Sequence, residues 1–223
     1  MIRALDLVFS FLGLMLALPV FIVLFPLLRL TGEGEIFYRQ TRIGLNGARF
    51  SLLKFATMLK NSPNLATGDI TIRNDTRILK IGKFLRATKL NELPQIWNIF
   101  NGDMSIVGPR PMTEKNFSYY DDPARQAILS VRPGLTGIGS IVFRDEENIL
   151  DCMEDKVNFY MTVIAPYKGE LEKWYVKNAN ISTYFATIFF TALAIIRPKS
   201  QLYRSYFKDL PIIPAALRQE MEK

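Results

Sequence analysis

The chain has 223 residues, with 28 Lys and Arg against 21 Asp and Glu, no His and a single Cys, for a formal charge of +7. Without His there is no Ser–His or Cys–His catalysis and no His metal site, and the lone Cys152 excludes an internal disulfide or a thiolate zinc site. Any metal would be held by oxygen, which suits Mg²⁺. A 49 % hydrophobic content beside that basic excess points to an anionic membrane surface, a phosphate-bearing substrate, or both.

The apolar residues are concentrated. Leu7 to Leu28 contains no charged residue, and at about 1.5 Å per residue such a run can cross a ~30 Å hydrocarbon core. Pro19 near its middle and Pro26 near its end predict a bent helix rather than a straight span. Arg3 precedes the run and Arg29, Arg39, Arg42 and Arg49 follow it, a distribution that fits a helix entering and leaving on the cytoplasmic face. This membrane-embedded reading stands ahead of a cleaved signal peptide or a buried core helix, because the n-region is weakly basic and no small-x-small site follows.

Residues 31–178 form the polar part, with 20 of the 28 basic and 17 of the 21 acidic residues. Ile36-Phe37-Tyr38 leads through Asn46-Gly47 to the apolar run Phe50–Phe55, a hairpin pattern whose Asn-Gly turn tolerates positive φ. A polar loop is expected over Asn61–Asp69. From Thr76 the pattern turns helical, with Arg73, Arg77, Lys80, Lys83, Arg86 and Lys89 three or four residues apart and Ile78, Ile81, Phe84 and Leu85 between them. That spacing predicts an amphipathic helix with a basic face, either solvated, laid against lipid head groups, or funnelling anions.

A new helix is expected over Leu93–Phe100, with Asn91 as N-cap, Pro94 in the first turn and Glu92 at the positive end of the dipole. Gly102 to Pro111 ends in Gly-Pro-Arg-Pro, which presents Arg110 from a stiff turn suited to gripping phosphate. Arg132 to Gly139 is a second Gly/Pro turn, whose glycines would let backbone N–H groups approach a ligand. The apolar run Ala179–Ile196 carries five hydroxyl or amide residues and reads as an interfacial or core helix. The stretch from Ser200 onward carries no motif.

Taken together, these residues resemble the bacterial sugar transferase family of monotopic polyprenyl-phosphate phosphoglycosyl transferases. The pieces that match are the Pro-broken apolar helix, Phe37–Gly44, Lys54-Phe55-Ala56-Thr57-Met58, Gly82–Arg86, Asn91–Gln95, Gly102–Pro111, Arg132–Gly137 and Tyr175–Asn178. The resemblance implies an α+β, mostly helical fold. A small cytoplasmic catalytic domain (31–178) with a β-hairpin would be anchored by a re-entrant N-terminal helix (1–30) and by interfacial amphipathic helices, with 179–223 as an apolar helix and tail. It implies an initiating glycosyl-1-phosphate transferase that moves a sugar 1-phosphate from a UDP-sugar to undecaprenyl phosphate, releases UMP and starts a surface glycan. The implied setting is the cytoplasmic face of the bacterial inner membrane, with inner-membrane lipid as partner and Mg²⁺ as cofactor.

In the family an Asp–Glu pair heads the Leu-Pro-Gln helix, the Asp attacking the β-phosphate and the Glu helping to hold the metal. Carried over, the catalytic positions are Asn91 and Glu92, and Arg86, Arg110, Lys54 and Arg144 would bind substrate phosphate. Here the pattern is broken: Asn91 replaces the nucleophilic Asp, Ala56 replaces a basic residue, and Gly137–Arg144 keeps only the final Arg of its motif, followed by Asp145-Glu146-Glu147. Three readings compete. In one the chemistry has moved, with Glu92 as nucleophile and Asp145, Glu146 or Glu147 joining Glu92 around the metal; the bland reading of that triplet is a solvated acidic loop. In another Asn91 is an engineered block. In the third the chain is an inactive binder of nucleotide sugar. From a different class, a membrane scaffold shares the apolar helix and basic face. No nucleic-acid partner is expected, since residues 31–178 carry a net of only +3. The sugar and the oligomeric state, monomer or homodimer, are left open.

Overall fold

The structure is a computed structural model that describes residues 1–62, 75–144, 146–197 and 200–221, except the side chains of 147 and 219–221. The expected loop beyond Ser62, and Arg73 with it, lie outside the described residues. The protein is mostly helical with two small two-stranded sheets. It divides into two compact units: Met1, Arg3–Thr41 and Ser51–Gly102 form the first, and Ile2, Arg42–Phe50 and Asp103–Lys223 the second.

The first unit is built on α1 (Ile2–Leu30), which runs through both Pro19 and Pro26 as one helical element. Among the described residues it alone is long and apolar enough to cross a membrane. Its exposed side chains include Phe11, Leu12, Leu16, Ile22 and Val23. Fully burying such a side chain is worth about 1.5–3 kcal/mol, and these are half to mostly exposed, which favours an apolar environment around this helix. Its inner face is packed. Leu24 and Leu28 meet Phe55 and Leu85 in a buried cluster, and Phe55 stacks on Phe37 with Phe21 and Phe25 edge-on to it. At the other end of α1, Arg3 donates to the carbonyls of Ile99 and Phe100 at 2.6 and 2.8 Å. A cation is favoured there because the last carbonyls of a helix lack backbone partners and carry its negative pole.

The expected hairpin is present as β1 (Phe37–Ile43) and β2 (Arg49–Phe55), turning through Asn46 at φ 54° and Gly47 at φ 78°. The basic helix is shorter than its period suggests. It is α2 (Lys80–Ala87), and Arg77 is not on it: Arg77 is buried, with its guanidinium paired to Asp75 and a further bond to the carbonyl of Ser62. Lys89 also leaves the helix, with φ 59°. Lys80, Lys83 and Arg86 remain.

The second unit centres on β3 (Ser105–Val107) and β4 (Gly134–Thr136), paired in parallel with Ser105 opposite Gly134 and Val107 opposite Thr136. The short helices α4 (Glu114–Phe117) and α5 (Asp122–Leu129) lie between the two strands in sequence, and α6 (Ile138–Val142), α7 (Glu146–Asp151) and α8 (Lys156–Phe159) follow β4. A π turn at Tyr160–Ile164 leads into α9 (Ala165–Lys177), and α10 (Ile181–Ile196) comes next. α10 buries Thr183, Tyr184, Thr187 and Phe190 and exposes Phe185, Phe189, Ile195 and Ile196, so it packs on the unit and also presents an apolar face. The motif-free tail is folded: α11 (Leu202–Tyr206) and α12 (Ala215–Met221) follow α10, with Phe207 and Leu217 buried.

Two sequence motifs of this unit are explained by packing. The Gly/Pro turns at 108–111 and 132–139 are laced to each other, Gly134 N–H donating to the Pro109 carbonyl and Gly108 N–H to that of Thr136. A Cβ on Gly134 or Gly137 would lie 2.1 or 2.2 Å from Gly108 backbone atoms. The glycines therefore admit a neighbouring chain segment rather than the ligand that their spacing suggested. Tyr175 donates to the Val107 carbonyl at 3.0 Å, which fixes α9 to the end of β3.

Candidate active site

The residues expected to carry chemistry are distributed over both units. Asn91, Glu92, Lys54 and Arg86 belong to the first unit, and Arg110, Arg144 and Glu146 to the second. Asp145 and the side chain of Glu147 lie outside the described residues.

In the first unit, Leu90–Glu92 forms a single 3₁₀ turn after the left-handed Lys89, and Leu93 and Pro94 keep right-handed helical angles into α3 (Gln95–Asn101). Asn91 is therefore not the N-cap. The cap position is Pro94 and no side chain caps α3. The local preference of Asn for a cap is overridden because the 3₁₀ turn extends the helical path one turn upstream, carrying Asn91 into the interior. Asn91 is 6 % exposed, and its carbonyl Oδ1 has no hydrogen-bond partner. An acceptor left unpaired in the interior costs about 1–3 kcal/mol, so this atom is a candidate ligand contact.

Glu92 sits beside it, paired with Lys54 of β2 at 3.1 Å and mostly buried. The pair brings a carboxylate and an ammonium group together at the mouth of the turn. Arg86, half-buried on the last turn of α2, belongs to the same unit. Ala56, at the expected basic position, is buried at the end of β2. One further residue has the same character as Asn91. Gln95 is 3 % exposed and its Nε2 has no partner. Its sequence signal was present: Asn91, Gln95 and Asn98 fall at i, i+4 and i+7, the spacing of one helical face.

In the second unit Arg110 is exposed and lines a small, mainly apolar hollow with Ile43, Met112, Ile128 and Pro133. The stiff turn that presents it is anchored by the hairpin tip: Arg42 donates to the Pro111 carbonyl and Ile43 N–H to that of Met112. Arg144 is half-buried in the turn after α6. Glu146 is bound to Lys168 of α9 at 2.7 Å. Lys168 also faces the rings of Phe143 and Tyr160. Burial works against its charge, and Glu146 more than offsets this, so that its pKa is raised. One turn further along α9, Glu172 is buried and its pKa is pushed up to about 7 by that burial. In a chain without His, it titrates in the neutral range.

A hard cation such as Mg²⁺ takes oxygen ligands and is often held by one or two carboxylates together with substrate phosphates. The Glu92 carboxylate and the unpaired Asn91 carbonyl are oxygen donors of the kind such an ion takes. Among the described residues no group of three or more acidic side chains converges as a self-contained metal cage.

The chain is similar to several known proteins. The chain is 36 % identical over 158 residues to the exopolysaccharide production protein ExoY of Sinorhizobium fredii, covering 65 % of this chain and 70 % of that one. It is 35 % identical over 190 residues to the UDP-glucose:undecaprenyl-phosphate glucose-1-phosphate transferase of Escherichia coli, covering 84 % of this chain and 39 % of that one. It is 31 % identical over 209 residues to the undecaprenyl-phosphate galactose phosphotransferase of Salmonella typhimurium, with 87 % and 40 % covered. The chain thus spans well under half the length of these two longer relatives. Residues 1–198 match the bacterial sugar transferase family, and the chain belongs to that family.

Proposed function

We propose that this protein is a phosphoglycosyl transferase that moves a sugar 1-phosphate from a UDP-sugar to undecaprenyl phosphate and releases UMP, with Glu92 as the nucleophile. The observation that carries this is the buried turn in which Glu92 is held by Lys54 beside an unpaired Asn91 carbonyl. The substrates follow from those printed in the names of the relatives. A neutral amide is a poor nucleophile, so the reaction falls to the neighbouring carboxylate.

In the first half-reaction a Glu92 carboxylate oxygen bonds to the β-phosphorus while the bond from that phosphorus to the bridging oxygen breaks. UMP leaves with the electron pair. In the second half-reaction a phosphate oxygen of undecaprenyl phosphate attacks the same phosphorus and Glu92 is released as a carboxylate. Lys54 and Arg86 supply positive charge that lets the anionic diphosphate approach a carboxylate. The second oxygen of Glu92 and Oδ1 of Asn91 would hold Mg²⁺. That ion, when bound, neutralises charge building on the leaving phosphate. The setting is the cytoplasmic face of the inner membrane, with α1 as a re-entrant anchor whose exposed apolar residues meet lipid.

Purified protein in nanodiscs, given Mg²⁺, undecaprenyl phosphate and a panel of UDP-sugars, is expected to release UMP with at least one sugar. Glu92→Gln should lower that release by about a thousandfold or more. Mass spectrometry should find a phosphosugar on Glu92. A second reading, an inactive binder of nucleotide sugar, is favoured by the amide at position 91. It prevails if the native chain releases nothing with any sugar while Asn91→Asp does.

A further inference from the structure

The carboxamides Asn91, Gln95 and Asn98 form a buried polar stripe in the first unit, 6, 3 and 2 % exposed. They are not equally satisfied. Asn98 reaches the outer edge of β2, its Oδ1 accepting from Leu53 N–H at 3.0 Å and its Nδ2 donating to the Ser51 carbonyl at 2.9 Å. It fills the place of a missing strand. Gln95, one turn closer to Glu92, leaves its Nε2 donor without an acceptor, and Asn91 leaves its Oδ1 without a donor. The satisfied amide is the one farthest along the chain from Glu92, and the two unsatisfied ones are nearer to it in sequence. Natural interiors rarely leave such atoms unpaired unless a ligand or water completes them.

A buried N–H donor without a partner, three residues after Glu92, is matched by an anionic oxygen. A phosphoryl oxygen supplies one, and charge-assisted bonds of this type are the strong ones. We infer that Gln95 is a further catalytic residue, donating its Nε2–H to an oxygen of the β-phosphoryl group of a nucleoside diphosphate sugar. The inference rests on the transferase reading above. It gives Gln95 a different task from Glu92: Gln95 holds the oxygen while Glu92 meets the phosphorus. The competing explanation is a bridging water between Asn91 and Gln95, which would make the donor structural.

Calorimetric titration of the nanodisc-embedded protein with UDP and with UMP, both in Mg²⁺, separates the cases. UMP lacks the β-phosphoryl group. Gln95→Met keeps the shape and removes the donor. Its ligand-free melting temperature is expected to equal or exceed that of the native chain. Its affinity for UDP should fall on the order of ten- to a hundredfold while its affinity for UMP stays the same. Gln95→Leu, which also lacks the donor and adds no charge, should weaken UDP binding as much while sparing UMP, and decides the question if the Met variant does not fold. Native-like UDP affinity in a folded variant, or equal losses for UDP and UMP, overturns the role of Gln95. Failure of the native chain itself to bind UDP overturns the transferase reading, and this inference with it.

Discussion

The Asn91–Gln95 turn of the first unit and the β3–β4 glycine seam of the second are built on motifs of similar rigidity, yet they are used in opposite ways. In the seam every space left by a missing Cβ is filled by the protein itself. Gly108, Gly134 and Gly137 face one another's backbone, and Gly139 admits the Glu172 carboxylate, whose Oε1 would lie 2.6 Å from an added Cβ. In the turn, atoms able to form hydrogen bonds are buried and left over. The backbone of the seam closes on itself, although Glu172 Oε2 beside it is also buried without a partner. In the turn the unpaired atoms belong instead to the neighbours of Glu92, and an unpaired atom there is available to a ligand.

The largest expected effect is at the seam. Gly134→Ala would place a Cβ 2.1 Å from Gly108 N and 2.4 Å from the Thr136 carbonyl oxygen. Both are backbone atoms of a paired strand and its connection, so no rotamer change relieves the clash. A loss of more than about 4 kcal/mol is expected, enough to unfold the second unit. Soluble yield and thermal unfolding measure it. A variant that melts like the native chain would show that the seam is loose enough to receive a ligand, and would erase the contrast with the turn.

Next comes Glu172, the carboxyl enclosed by that seam. Its pKa is pushed up to about 7 by burial, against 4.5 as its ordinary value, with Lys168 pulling the other way. Below pH 4.5 the group is protonated whether the chain is folded or not, and it takes nothing from stability. As pH rises toward 7 only the unfolded chain releases the proton, so the folded state loses ground, by about 3 kcal/mol in all, and the loss levels off above 7. Glu172→Gln should remove this slope, matching the native chain near pH 4.5 and exceeding it at pH 8. Unfolding curves at the two pH values test this. An unchanged slope would mean that the carboxyl is solvated, and that the second unit is less complete than its packing implies.

Much of this architecture was legible in the residues. The Asn46-Gly47 turn fixed the hairpin because positive φ is a local demand that few residues meet, and the uncharged run Leu7–Leu28 announced α1 by length alone. The misreadings share a cause, since each turned on a distant or overriding partner. Arg77 has the spacing of the basic face, but Asp75 two residues earlier captures it in the interior. Asn91 has the chemistry of a cap, but the 3₁₀ turn draws it inward. The glycines at 134 and 137 read as ligand-facing because nothing local reveals that Gly108 lies against them. Within the candidate site, Glu92 was singled out by its neighbours in sequence. Lys54 as its ion-pair partner required β2 to be folded back beside it, 38 residues away in the chain.

The smallest effect sharpens the contrast inside the stripe itself. Asn98→Ala removes both bonds to β2 and leaves the Ser51 carbonyl and the Leu53 N–H unpaired at a strand edge that no other strand covers among the described residues. Two modest hydrogen bonds are lost and two backbone groups are left short of partners, for a cost of about 2 kcal/mol. Gln95→Met, three residues away on the same face, should cost nothing in the absence of ligand, because its donor has no partner to lose. Chemical denaturation of the two variants side by side reads the difference directly. Equal losses would make the stripe uniformly structural, and the donor of Gln95 would then be satisfied within the fold rather than held for a phosphate.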